Sequence, residues 1–188
     1  MEHQLLNKIE MKPTPLPTIT PIWDRFVRTF HWTLVLCVMV NYFLISDGEV
    51  IHRWTGYLAS ALVCMRIVWG FIGSKHARFR DFTPSPSKVV HHVRAMFSGE
   101  LERHSGHNPL GALMMFALMG TVIGLGVSGW MQTLDAFWGE EWLQAIHEFL
   151  ANTLIALATL HALSAIVMGR IERTKLIKAM FTGEKETY

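Results

Sequence analysis

FLANTLIALATLHALSAIVMG (149–169) holds one ionisable residue, His161, in 21 positions. At about 1.5 Å per helical residue, such a run crosses a hydrocarbon layer of roughly 30 Å. Three earlier stretches read alike. FHWTLVLCVMVNYFLIS (30–46) and PLGALMMFALMGTVIGLGVSGWM (109–131) contain no Asp, Glu, Lys or Arg, and WTGYLASALVCMRIVWGFIG (54–73) is interrupted by Arg66 alone. Four such runs joined by short links on one side predict an all-α fold, an integral membrane four-helix bundle running up-down-up-down. Its domain would occupy residues 26–170, between a proline-containing N-terminal tail (1–25) and a C-terminal tail (171–188). Composition agrees. Of 188 residues, 51% are hydrophobic and 17% charged, where soluble domains carry about a quarter charged. This excludes a disulfide scaffold, a disordered chain and an ordinary soluble enzyme.

Lysine and arginine set the expected orientation. The N-terminal tail has Lys8, Lys12, Arg25 and Arg28; the link after the second run has Lys75, Arg78, Arg80, Lys88, Arg94 and Arg103; the C-terminal tail has Arg170, Arg173, Lys175, Lys178 and Lys185. The two remaining links hold Arg53 beside Asp47, Glu49, Asp135, Glu140 and Glu141. Fifteen cations against one put both termini and the long middle link in the cytoplasm. The N-terminus, MEHQLLNKIEMKPTPLPTITP, lacks the apolar core of a cleavable signal peptide, so the first membrane helix is expected to act as its own targeting signal. Trp23, Trp32 and Trp69 fall near the inner boundary and Trp54, Trp130, Trp138 and Trp142 near the outer one, the headgroup level that indoles prefer.

Four of ten histidines, His31, His52, His147 and His161, stand in or at the ends of the apolar runs. An ionisable group there is costly and points to function. His147 and His161 are fourteen residues apart, close to four helical turns, so both project from one face at depths about 21 Å apart. Given the orientation, His52 meets His147 at the outer level and His31 meets His161 at the inner. Two imidazoles on opposite faces of one iron porphyrin leave no open position, so a haem held this way carries electrons and does not bind substrate at the metal. Cys37 and Cys64 lie inside the runs; with no CxxC and no CxxCH, neither a zinc knuckle nor covalent haem attachment is encoded.

Several motifs carry a family likeness: IWDRFVRTFHW (22–32), HRWTGY (52–57), RIVWGFIGSKHARFRDF (66–82), GHNPLGALM (106–114) and HEFLANTLIALATLH (147–161). Together they resemble the bacterial cytochrome b561 family, which includes the b-type cytochrome subunits of nickel–iron hydrogenases. The likeness covers residues 22 to 182. It implies a four-helix inner-membrane protein with two b-type haems, and their ligands fall on His31, His52, His147 and His161, with none on the third helix. Relatives pass electrons between a periplasmic redox protein, such as a c-type cytochrome or hydrogenase subunit, and quinone; some oxidise superoxide.

Arg66 either reaches the inner headgroups or pairs with a haem propionate or quinone. His76 and its basic neighbours offer a contact for lipid phosphate, quinone or propionate. His91, His92, His104 and His107 have no cysteine or carboxylate cluster to complete a zinc site. Asn108 and Pro109 are a helix start, and SKVVHHVRAMFSGE (87–100) reads as a short amphipathic helix. No GxGxxG or Walker loop supports a nucleotide cofactor. Electron transfer by a di-haem cytochrome in a respiratory chain is the leading expectation. A self-contained superoxide:quinone oxidoreductase and a haem-free metal or proton transporter are the alternatives.

Overall fold

The computed structural model describes residues 18–98, 108–172 and 174–187. His3, His104, His107, Arg173 and the proline-rich start of the N-terminal tail lie outside the described residues. Among them, four helices are long and apolar enough to cross a membrane: α1 (Arg25–Phe43), α2 (Val50–Ile72), α5 (Pro109–Met131) and α6 (Glu141–Ile171). Shorter elements fill the links. These are β1 (Thr18–Pro21), α3 (Phe79–Phe82), α4 (Pro86–Ser98), a 3-10 turn at Asp135–Phe137, α7 (Leu176–Thr182) and β2 (Glu184–Thr187).

Two of the long helices, α1 and α5, start on a side-chain cap. Asp24 accepts from the Val27 N–H at 2.8 Å and starts α1 five residues before the uncharged run. Asn108 accepts from the Gly111 N–H at 2.7 Å, and Pro109 opens α5 at the boundary expected from the sequence. The largest difference is α6. It has 31 residues and begins at Glu141, so His147 stands in its second turn and does not open the helix.

The chain packs α1 on α2, α2 on α5 and α5 on α6. At the centre lie Cys37, Ala59, Val63, Met119, Val122 and Leu154, one or two from each long helix. Small residues let α2 and α5 approach closely: a Cβ on Gly126 would fall 2.2 Å from Ser60 Oγ. Most other apolar side chains point outward, including Leu44, Phe71 and Phe149, each about two-thirds exposed or more. An apolar exterior over closed helices is what lipid requires as solvent.

At the end bearing most of the lysine and arginine, the two tails join. β1 pairs antiparallel with β2, Thr18 opposite Thr187 and Pro21 opposite Glu184. The turn between α7 and β2 is Gly183 at φ +89, whose carbonyl accepts from the Ile22 and Trp23 N–H groups. Trp32 stacks on Phe181 at 4.2 Å and donates to the Met180 carbonyl, while Arg28 donates to the Phe181 carbonyl. This is the basic end; the links carrying Asp47 and Asp135 to Glu141 form the acidic end.

Two histidine pairs between the helices

Helix α6 makes little close backbone approach to α1 or α2. Side chains cross those gaps. His31 of α1 faces His161 of α6 with ring centroids 6.4 Å apart, and His52 of α2 faces His147 of α6 at 6.3 Å. The first pair lies toward the basic end and the second toward the acidic end, with the two α6 members about four turns apart. Tyr42 of α1 also reaches α6, donating to Asn152 Oδ1 at 2.9 Å.

Three of the four histidines have identifiable neighbours of their own. His52 sits in the first turn of α2, where Asn41 donates to its carbonyl at 3.1 Å and Thr55 in turn donates to Asn41 Oδ1. Its Nδ1 is 4.0 Å from an Asp47 carboxylate oxygen. His147 Nδ1 is 2.8 Å from Ser128 Oγ on α5. His31 packs edge-on against Trp32 at 5.0 Å. The Nδ1 atoms of His31 and His52 are buried with no hydrogen-bond partner among the described residues.

Each pair could hold one metal ion between its two rings. Two imidazoles on one iron, each bond about 2 Å long, hold their ring centres about 6 Å apart, close to both measured spacings. Among the described residues no group of three or more His, Cys, Asp or Glu could hold a metal. The donor set is thus two nitrogens per site, as a porphyrin iron needs and a closed zinc centre does not.

Arg66 is 2% exposed and does not reach toward headgroups. Its Nη2 donates to the Ala77 carbonyl at 3.0 Å, with Met115 Sδ at 3.9 Å, and its guanidinium lies 5.1 Å from the centre of the Phe79 ring. Nη1 is buried and has no hydrogen-bond partner among the described residues. Nearby, Asp24 accepts from Trp69 Nε1 at 3.0 Å and Ser74 Oγ at 2.6 Å, tying the start of α1 to the end of α2. Burial raises the Asp24 pKa, but these bonds, the Val27 N–H and the Arg66 charge outweigh it and hold the carboxyl below its ordinary value.

The other singled-out histidines stand apart from the pairs. His76 lies part-exposed in the turn after α2, while His91 is exposed and His92 buried on α4, which forms where the amphipathic stretch predicts. Sequence reasoning missed Ser128, Asn41 and Asp24. Asp24 had a signal, an Asp just before a helical run; Ser128 and Asn41 had none, since only tertiary packing brings them to the histidines.

Residues 22–183 match the family described as prokaryotic cytochrome b561. Three relatives bear the description probable Ni/Fe-hydrogenase B-type cytochrome subunit. The protein of Bradyrhizobium diazoefficiens is 24% identical, covering 90% of this chain and 87% of its own length. That of Azotobacter vinelandii is 25% identical with 88% of each covered, and that of Rhodobacter capsulatus 23% with 87% and 80%. No solved structure matches significantly. With four membrane-spanning helices and a match over nearly its whole length, the chain belongs to the prokaryotic cytochrome b561 family, multi-pass membrane cytochromes that carry b-type haem and transfer electrons.

Proposed function

We propose that this protein is a di-haem cytochrome b that moves electrons across a bacterial inner membrane, between a periplasmic redox partner and quinone. The observation that carries this is the arrangement of four histidines as two facing pairs at two depths, both anchored on α6. His52 and His147 would hold one b-type haem, and His31 and His161 the other. A haem so held supplies a one-electron couple at an iron with no free coordination position.

The remaining groups divide by end. Arg66, buried and with Nη1 lacking a partner among the described residues, offers a charge-assisted hydrogen bond to a carboxylate such as a haem propionate. Asp135, Glu140, Glu141 and Glu148 are exposed at the acidic end, a surface suited to a soluble partner with basic groups. The names of the relatives favour a hydrogenase as that partner. The fifteen-to-one distribution of cations favours cytoplasmic termini, so the acidic end would face the periplasm.

Sealed vesicles with the acidic end outward test the relay. A membrane-impermeant reductant is expected to reduce the haem of the His52–His147 pair first and the other after it. In His147→Ala, the remaining haem should lose most of its fast reduction. Equally fast reduction in that variant would show that the two sites do not form a transmembrane path.

A further inference from the structure

Helix α5 supplies no histidine, yet its last turn is built around one. Ser128 is 4% exposed, and its Oγ lies 2.8 Å from His147 Nδ1 and 3.3 Å from the Leu125 carbonyl. A hydroxyl has one proton to donate and lone pairs to accept with. With Nε2 of His147 given to a metal, as proposed above, Nδ1 carries the ring proton and donates it to Oγ, which gives its own proton to the Leu125 carbonyl. The next residue confines the ring as well: a Cβ on Gly129 would come 3.2 Å from His147 Cε1, so the imidazole lies against bare backbone.

Among the described residues, the Nδ1 atoms of His52 and His31 are buried without a hydrogen-bond partner, although the Asp47 carboxylate stands 4.0 Å from His52 Nδ1. A ring N–H given to an acceptor makes the other nitrogen a stronger donor to a metal, which favours the oxidised iron. The Asp47 carboxylate acts in the same direction, because negative charge disfavours adding an electron. Arg66, buried on α2 beside Asp24 toward the basic end, acts oppositely there.

We propose that Ser128 is a positioning residue: its hydroxyl sets the tautomer and orientation of His147 and holds the midpoint potential of the acidic-end haem below that of the basic-end haem. This rests on His52 and His147 being axial ligands, as proposed above.

The test is redox titration of the two α-bands in the purified, haem-loaded full chain. His147→Ala comes first: it should lose one haem, and retention of two low-spin haems would remove the ligand assignment itself. Ser128→Ala should keep two haems and raise one potential, the one absent in His147→Ala. The expected shift is about tenfold in the one-electron equilibrium, about 59 mV. Ser128→Thr, which keeps the hydroxyl, should restore the wild-type value. Unchanged potentials in Ser128→Ala, or equal shifts of both, would overturn the proposal. If Ser128→Ala loses that haem, Ser128→Thr decides. Two haems at wild-type potentials in Ser128→Thr support the role, and loss there too overturns it.

Discussion

A guanidinium 2% exposed within a membrane helix needs compensation from its surroundings, because leaving water is costly for a charge. Arg66 receives part of it from the Ala77 carbonyl, the Phe79 ring and the field of Asp24, while among the described residues Nη1 has no acceptor. Phe79 is itself seated by a glycine: a Cβ on Gly70 would fall 2.2 Å from its ring, so Gly70 lets the aromatic lie over the arginine. A cation beside a haem favours the reduced state, which is the more negative. Arg66→Leu is therefore expected to lower the midpoint potential of the basic-end haem about tenfold in its equilibrium, about 59 mV, and to leave the other unchanged. Redox titration checks this, and a shift confined to the acidic-end haem would contradict the placement. The sequence marks Arg66 as the lone charge in its run. Its partners were not legible, because Ala77 and Phe79 lie beyond the helix and return to it only through the turn at residues 73–78.

Helices α5 and α6 illustrate what periodicity conveys and what it omits. The apolar run fixes α5 to the residue, because Asn108 and Pro109 coincide with the change in hydropathy. It truncates α6, whose first two turns carry Glu141, Gln144 and Glu148 among apolar residues and project beyond the uncharged stretch. The spacing of His147 and His161 survives that error, since it depends on helical pitch and not on where the helix begins. Pairing of β1 with β2 had no signal at all: the strands are four residues each and stand at opposite ends of the sequence. Charge contributes to holding them. Glu186 accepts from Lys178 at 2.5 Å and Lys175 at 3.0 Å, and these bonds lower its pKa from 4.5 to about 2. A carboxylate lowered in the folded state stabilises above its unfolded pKa and loses that contribution as pH falls through its folded one. Protection of residues 184–187 against amide exchange should thus fall between about 4.5 and about 2, measured against Glu186→Gln at each pH. The same pH dependence in both proteins would show that the Lys–Glu contacts do not hold the strand.

At the scale of the molecule, three close helix contacts and two side-chain-bridged gaps make an asymmetric bundle in which α6 faces both α1 and α2 through histidine. The bundle, its four spans and the proximity of the histidines were legible because lipid imposes length and helical pitch imposes phase. The supports of the histidines were not: Ser128 and Asn41 act through contacts between helices, and such contacts leave no periodic trace. The central claim is that each facing pair is one haem site. Pyridine haemochrome analysis of purified protein measures it directly, as haem per polypeptide in wild type and in His161→Ala. Two in the wild type and one, still low-spin, in the variant are expected. Two fully low-spin haems in His161→Ala would show that the His31–His161 pair is not a ligand set.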